Sequence, residues 1–352
     1  MPYRILMMGA SYGSLLASKL LFGGHSIHLV CLPAEAELIN AEGFKVRLPV
    51  RGRKDPVLLE SRKLPGKVTA GPAEGVQPSD YDLVGLCMQE PQYRSAGVRE
   101  LLDAVGKSRV PCMSIMNMPP LPYIRRIPGL DYEPLKAAYT DPTVWDSIDP
   151  KKITLNSPDP QAIRPPDGKA NELLVTLPTN FKCARFEDDA DTQIIRNLAK
   201  DVEAARFDAP EGRIELPVKL KAYDSIWVPL AKWAMLCAGN YRCITEDGIR
   251  TAQEAVHSDL AASKSVYEFV FDLCVKLGAN PEDLVPFEKY AAAAQSLVRP
   301  ASAARAVQNG APNIERADKL VQLIARQKGL SHPVLDATVA LVDRRLEANR
   351  RR

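Results

Sequence analysis

The chain opens on a short continuous apolar run, Arg4 to Met8, the pattern of a strand buried on both faces. Leu15, Leu16, Leu20 and Leu21 then fall at helical spacing between Ser14 and Phe22, and Gly23-Gly24 ends that helix. Ser26 to Cys31 reads as a second strand, so strand, helix and strand follow one another within about thirty residues, as a βαβ unit requires. The alternation continues with a short helix ending at Gly43 and a strand after it. Asp80–Met88 is a buried-type strand, followed by a helix over Ser95–Val105. Pro111–Pro120 is another apolar strand, ended by Asn117 and a Pro-Pro pair that continues neither a sheet ladder nor a helix. Asn117 is thereby placed at the carboxyl end of a parallel strand, where open α/β sheets bind their ligands.

From Pro119 to Pro166 prolines dominate, and a partly ordered excursion over the surface is expected there. Short β-like runs at Lys151–Leu155, Glu172–Leu177 and Phe181–Phe186 predict antiparallel strands added to the sheet edge, and Asp189–Arg206 predicts a helix. Beyond about Phe207 the periodicity is helical. The pattern therefore predicts an α/β Rossmann-type dinucleotide-binding domain over residues 1–206, carrying the proline-rich excursion of 119–166. An all-helical domain follows over residues 207–352.

Composition narrows the function. A net charge of +3 over 352 residues supplies no argument for nucleic-acid or membrane partners, and the terminal EANRRR reads as a solvated helix end. No apolar run reaches the roughly eighteen residues that span a bilayer, and the chain enters a strand at once with no signal-peptide pattern, so a cytoplasmic location is expected. Seven cysteines form no C-x-x-C pair and read as reduced core residues. His25, His28, His257 and His332 lack metal-ligand spacing and flanking nucleophiles, which speaks against metal and Ser-His-Asp chemistry alike.

Two stretches carry candidate chemistry. In MMGASYGS the glycine set of a phosphate-binding βα turn is partial. With Gly9 as the first glycine, Ser11 and Ser14 take the second and third places; with Gly13 as the third, Met8 and Ala10 take the first two. A loop one residue shorter lets both Gly9 and Gly13 keep their roles, with Ala10, Ser11 and Tyr12 between them. In SIWVPLAKWAMLCAGNY, Lys232 is the one charged residue of an apolar helix begun by Pro229. Such a lysine either snorkels to the surface or serves a polar cavity, where desolvation lowers its pKa toward that of a neutral-pH proton donor.

GSLLASKLLFGGHSIHLV with AELINAEGFKV, and later LAKWAMLCAGN, resemble the ketopantoate reductase family. DLVGLCM and SIMNMPP fall between them in the family's order, and QKGLSHP resembles its last Gly-x-x-x-Pro turn. The resemblance covers most of the chain but not 119–166. It implies reduction of a 2-oxo acid by NADP or NAD in a cleft between a Rossmann and a helical domain, with a homodimer plausible for the helical part. Carried over, Lys232 is the general acid, Asn117 holds the nicotinamide and lysine end, and Asn240 binds substrate. Gly9, Ala10, Ser11, Tyr12 and Gly13 take the cofactor phosphates.

The departures bear on specificity. Leu236 replaces a second asparagine on the catalytic helix. Counting back from Gly329–Pro333 puts Asn313 where the family has a substrate-binding glutamate, with Glu315 two residues on, and Ser302 stands for a serine upstream. These losses imply a different, larger or more apolar oxo acid. The arginine that grips the 2′-phosphate of NADP is absent from Cys31-Leu32-Pro33, Gln89 replaces a cofactor-binding lysine, and Glu35 is expected on an exposed helix face. Two alternatives stay open: an opine-type dehydrogenase reducing an imine, and a dinucleotide-binding sensor without catalysis.

Overall fold

The computed structural model describes residues 2–165 and 167–351. Met1, Arg352 and Pro166, the last residue of the proline-rich span, lie outside the described residues. The chain divides into two compact units. One comprises Met1–Met88, Gln92–Met116 and Val144–Ile226; the other comprises Gln89–Pro91, Asn117–Thr143 and Trp227–Arg352.

The first unit is built on strands β1 (Arg4–Met8), β2 (Ser26–Val30), β3 (Lys45–Leu48), β4 (Val57–Glu60), β5 (Lys67–Gly71), β6 (Leu83–Leu86), β7 (Cys112–Ile115), β8 (Ile153–Ser157), β9 (Gln161–Ile163), β10 (Glu172–Leu177), β11 (Phe181–Ala184), β12 (Arg206–Ala209), β13 (Gly212–Glu215) and β14 (Leu220–Tyr223). Eight of them form one sheet in the order β14-β11-β8-β7-β6-β1-β2-β5, parallel from β5 through β8. The continuous apolar runs follow from this position: Ile5, Leu6, Met7 and Met8 are all wholly buried, since a parallel strand is covered on both faces. The chain runs outward from β1 through β2 to β5 and returns to β6 on the other side of β1. The β1–β6 junction is thus a topological switch point, whose carboxyl end is the expected ligand crevice. Helices α1 (Ala10–Leu20), α2 (Pro33–Glu42), α3 (Val98–Ser108) and α5 (Asp189–Ala204) belong to this unit.

Three expectations are corrected here. β8 joins the main sheet in parallel, through Cys112↔Ile153 and its neighbours, and only β11 pairs antiparallel to it. β10 leaves the main sheet for a smaller one, β4-β3-β10-β9, where Leu173 and Val175 are buried. The region after Phe207 is not all helical. β12 and β13 form a hairpin with Phe207 opposite Ile214, and β14 adds to the main sheet, so this unit runs to Ile226, beyond the expected boundary at 206.

The second unit holds α4 (Leu121–Ile124), α6 (Lys232–Met235), α7 (Ala252–His257), α8 (Leu260–Lys276), α9 (Phe287–Ala294), α10 (Ser302–Gln308), α11 (Ala317–Gln327) and α12 (Pro333–Arg350). Residues 119–143 of the proline-rich span are packed into it rather than laid over a surface. Leu121, Tyr123, Ile124, Leu135 and Tyr139 are buried, and the Tyr139 hydroxyl donates to the Pro119 carbonyl at 2.7 Å. The Lys328 ammonium donates to the Gly129 carbonyl at 2.7 Å and ties the segment to the end of α11. No helix among the described residues is long and apolar enough to cross a membrane.

Candidate active site

In the first unit, β1 passes into α1 through Gly9 alone. Gly9 has φ 113° and ψ 118°, a backbone state open to glycine and strained for other residues. A Cβ added there would stand 3.0 Å from the Cys87 carbonyl carbon and oxygen and from Met88 Cγ at the end of β6, so the turn also needs glycine for space. Ala10, Ser11 and Tyr12 form the first turn of α1, and no side chain caps its amides. Uncapped first-turn N–H groups at the switch point of a parallel sheet fit a diphosphate. Gly13 packs the helix on the sheet, where a Cβ would meet Leu29 and Met7 at 3.4 Å, ordinary contact. Gly9 is thus the indispensable glycine of the pair. Tyr12 also donates its hydroxyl to the Pro160 carbonyl at 2.8 Å.

Beyond β2, Leu32 is 75% exposed and presents no charge. Glu35 is buried, contrary to the exposed position expected for it, because Arg164, just after β9, pairs with its carboxylate. Both charges lie near Cys31, whose thiol is pushed up to about 12 by burial and by Glu35, with Arg164 opposing. A guanidinium therefore does reach this end of the sheet, from a segment more than a hundred residues away in sequence and already matched to a carboxylate.

In the second unit a narrow crevice of about 10 Å3 is lined by Gln89, Asn117, Asn240, Ser302, Glu315 and Tyr241, with Leu236, Ile314 and Ala303 as its apolar wall. Sequence-predicted Gln89, Asn117, Asn240 and Ser302 thus come together. Asn313 does not join them: it turns to the C-terminal helix and accepts from Arg350 at 3.2 Å. The acid of the crevice is Glu315, two residues on, since Ile314 and Glu315 turn inward at the entry to α11 while Asn313 faces out. Tyr241, which sequence reasoning missed, fixes that turn. Its hydroxyl donates to the Glu315 carbonyl at 2.6 Å and accepts from the Ala317 N–H at 2.8 Å. Next to it, Arg316 grips Asp318 through two hydrogen bonds of 2.9 and 3.0 Å and so holds the start of α11.

Glu315 is buried, and that burial pushes its carboxyl up to about 7. Hydrogen bonds from the Asn117 side chain and from the Glu90 and Met118 amides pull it down, while the charge of Glu90 pushes it up. Glu90 keeps its own charge satisfied by accepting from the Thr140 amide at 3.0 Å and the Thr140 hydroxyl at 2.8 Å. With the Asn117 amide nitrogen on Glu315, its Oδ1 is left buried with no partner. An acceptor left unmatched in a polar crevice is a place for a ligand donor.

The helix of Lys232 is not continuous. A 3₁₀ turn at Pro229–Ala231 leads into α6, then a π turn over Leu236–Asn240 and a further 3₁₀ turn over Tyr241–Cys243. The widened turn has a visible cause. The Tyr290 hydroxyl donates to the Met235 carbonyl at 3.2 Å, and Gly239 gives it room, since a Cβ there would lie 2.0 Å from that hydroxyl. Lys232 is half-buried, one turn before Leu236, and is not part of the crevice wall. Among the described residues no group of three or more His, Cys, Asp or Glu side chains is placed to hold a metal ion.

No protein-family model matches the chain, and no curated protein matches it. Solved structures do. A protein from Ralstonia solanacearum assigned as a ketopantoate reductase aligns with TM-score 0.71 and 13% identity over 99% of each chain. A 2-dehydropantoate 2-reductase from Methylococcus capsulatus aligns with TM-score 0.66 and 14% identity over 98% of this chain and 97% of its own. D-mandelate dehydrogenase bound to NADH and anilino(oxo)acetate aligns with TM-score 0.63 and 14% identity over 99% of each chain. At this identity the likeness establishes the fold, a Rossmann-type α/β sheet together with a helical C-terminal region.

Proposed function

We propose that this chain is an NAD(P)H-dependent reductase of a 2-oxo acid, a divergent relative of the ketopantoate reductases whose fold it shares. The observation that carries the reading is the convergence of Asn117, Asn240, Ser302 and Glu315 on one crevice, beside the helix that bears Lys232. The Gly9 turn and the first-turn amides of Ala10, Ser11 and Tyr12 would hold the diphosphate of a dinucleotide. In the crevice, Gln89 and the Asn117 Oδ1 would serve the nicotinamide. When bound, the dinucleotide supplies the hydride that adds to the carbonyl carbon.

The chain's own part is binding and the proton. Lys232 Nζ gives its proton to the carbonyl oxygen as negative charge grows there, an interaction stronger in the transition state than in the bound ketone, and solvent reprotonates it. Asn240 and the Ser302 hydroxyl orient the polar groups of the substrate. Glu315, protonated up to about pH 7, donates to a substrate oxygen. With Glu315 present, one of the two polar groups thought lost is recovered; Leu236 keeps the other side apolar, which favours an oxo acid with an apolar substituent, as the D-mandelate dehydrogenase likeness also does. The walls must part to admit it.

The reading is tested by following loss of reduced-nicotinamide absorbance with NADPH and NADH, across 2-oxo acids that include ketopantoate and the oxo acid of mandelate. Wild type should turn over at least one pair, and Lys232→Ala should lose about 10²–10⁴-fold in rate while still binding cofactor. Absence of turnover with every pair, or turnover unaffected by Lys232→Ala, refutes it.

A further inference from the structure

The helical unit carries a second opening on another side of the same chain segment. A cleft of about 460 Å3 lies between the turn after the π segment, the start of α8 and one face of α12. That volume falls in the range of about 300–1,000 Å3 usual for small-molecule sites. Its charged groups are Arg242, Arg250, Arg344, Glu246 and Asp259.

These charges do not cancel in place. Arg344 pairs with Glu246. Asp259 spends Oδ1 on the Ala262 amide at 2.9 Å as the cap of α8. Arg242 is only 8% exposed, yet its bonds run to neutral groups, the Ala238 carbonyl at 3.0 Å and the Ser263 hydroxyl. Arg250 likewise bonds neutral oxygens, the Arg242 carbonyl at 2.9 Å and Ser258 Oγ at 3.0 Å. No carboxylate among the described residues forms an ion pair, within 4.0 Å, with either guanidinium. A buried guanidinium without a counter-ion is costly. The cost is visible in Arg242, whose pKa is lowered by burial and by the like charge of Arg250, with Asp259 opposing.

We propose that this cleft binds a small organic monocarboxylate, with its head on Arg242 and Arg250 and its apolar body against Ile244, Val334 and Leu341. Three arginines against two acids leave one positive charge, which matches a monoanion better than a phosphate or a dicarboxylate. The site also has a path to the crevice at Glu315. Arg242 follows Asn240 and Tyr241 in the chain, and its guanidinium holds the Ala238 carbonyl inside the π segment that carries Asn240.

Calorimetric titration of the full chain with benzoate, and separately with inorganic phosphate, tests the site without reference to turnover. Wild type should bind benzoate in preference to phosphate. Arg250→Gln, at a half-buried position, should weaken benzoate about tenfold or more through loss of a charged donor. Ala337→Glu, which sets a carboxylate on the exposed face of α12 at the cleft, should weaken it too, while Lys232→Ala leaves it unchanged. A wild type that does not take up benzoate overturns the proposal. So does binding indifferent to both cleft variants, binding lost in Lys232→Ala, or phosphate bound as tightly as benzoate. Light scattering adds a further arm: if the cleft variants dissociate a dimer and leave benzoate untouched, a second copy of the chain covers this face instead.

Discussion

Replacing Glu315 by Gln keeps the shape and the accepting oxygen for Asn117 but removes the proton. The folded carboxyl titrates at about 7 against an ordinary 4.5, and at about 1.4 kcal/mol per pH unit the difference is roughly 3 kcal/mol. The sign follows from which state holds the proton. Below about pH 4.5 both folded and unfolded chains carry it, and Glu315 costs nothing. Between about 4.5 and 7 the unfolded chain sheds it while the folded chain keeps it, so stability falls as pH rises. Above about 7 both are ionised and the full penalty of burying the charge remains. Glu315→Gln should therefore gain on wild type by up to roughly 3 kcal/mol between pH 4.5 and pH 8, whatever offset the exchange of an oxygen for an amide nitrogen sets at low pH. Urea unfolding across that range, read by tryptophan fluorescence of the helical unit, measures the gap. A wild-type-minus-variant difference that stays flat from about pH 5 to 8 would show that Glu315 is solvated or stably ionised, and the account of the crevice would fail with it.

Gly239→Ala would drive a methyl into the Tyr290 hydroxyl and displace it from the Met235 carbonyl, so we expect a loss of about 2–4 kcal/mol from overpacking and the broken buried bond. Thermal unfolding should show it, with partial rescue by adding Tyr290→Phe; an unperturbed melt would mean the π turn has another cause. The Arg164–Glu35 pair is neutral as a unit and offers no net cation to a 2′-phosphate. Glu35→Gln should release the guanidinium and strengthen binding of 2′,5′-ADP over AMP by about tenfold, whereas Arg164→Ala should reverse the preference. Equal affinities in both variants would place the adenosine end elsewhere.

The sequence made the first unit legible where one signal acted alone. Runs such as Ile5–Met8 admit a single reading, a strand covered on both faces, and the glycine at position 9 follows from the turn it must make. Legibility failed where tertiary contacts override local pattern. Phe207 and Ile214 are single apolar residues in polar surroundings, and only their pairing across a hairpin makes a strand of each. The prolines from Pro119 onward read as punctuation, yet Tyr123, Leu135 and Tyr139 are buried, and Pro134–Ala138 packs on α11, far along the chain. At the crevice, Asn117 sits at a strand end and Asn240 on the lysine helix, and the structure brings both to one wall. The count back from Gly329–Pro333 reaches Asn313, while the acid that lines the crevice is Glu315, two residues on, in a turn held by the Tyr241 hydroxyl that no spacing rule reveals. The buried Glu35 was hidden for the same reason, its partner Arg164 being remote in sequence.

The helical unit takes its residues from three separate stretches, the middle one being Asn117–Thr143. On the ribosome that middle stretch emerges long before α11, against which Pro134–Ala138 comes to rest, so it waits with its apolar side chains uncovered while the sheet of the first unit is already forming. Contacts of such sequence separation are slow to close and leave sticky surface in the interval. Synthesis paused between residues 143 and 317 should therefore recruit chaperones, and the stretch from Trp227 onward, made as a separate polypeptide, should stay soluble only when a peptide spanning 117–143 is supplied with it.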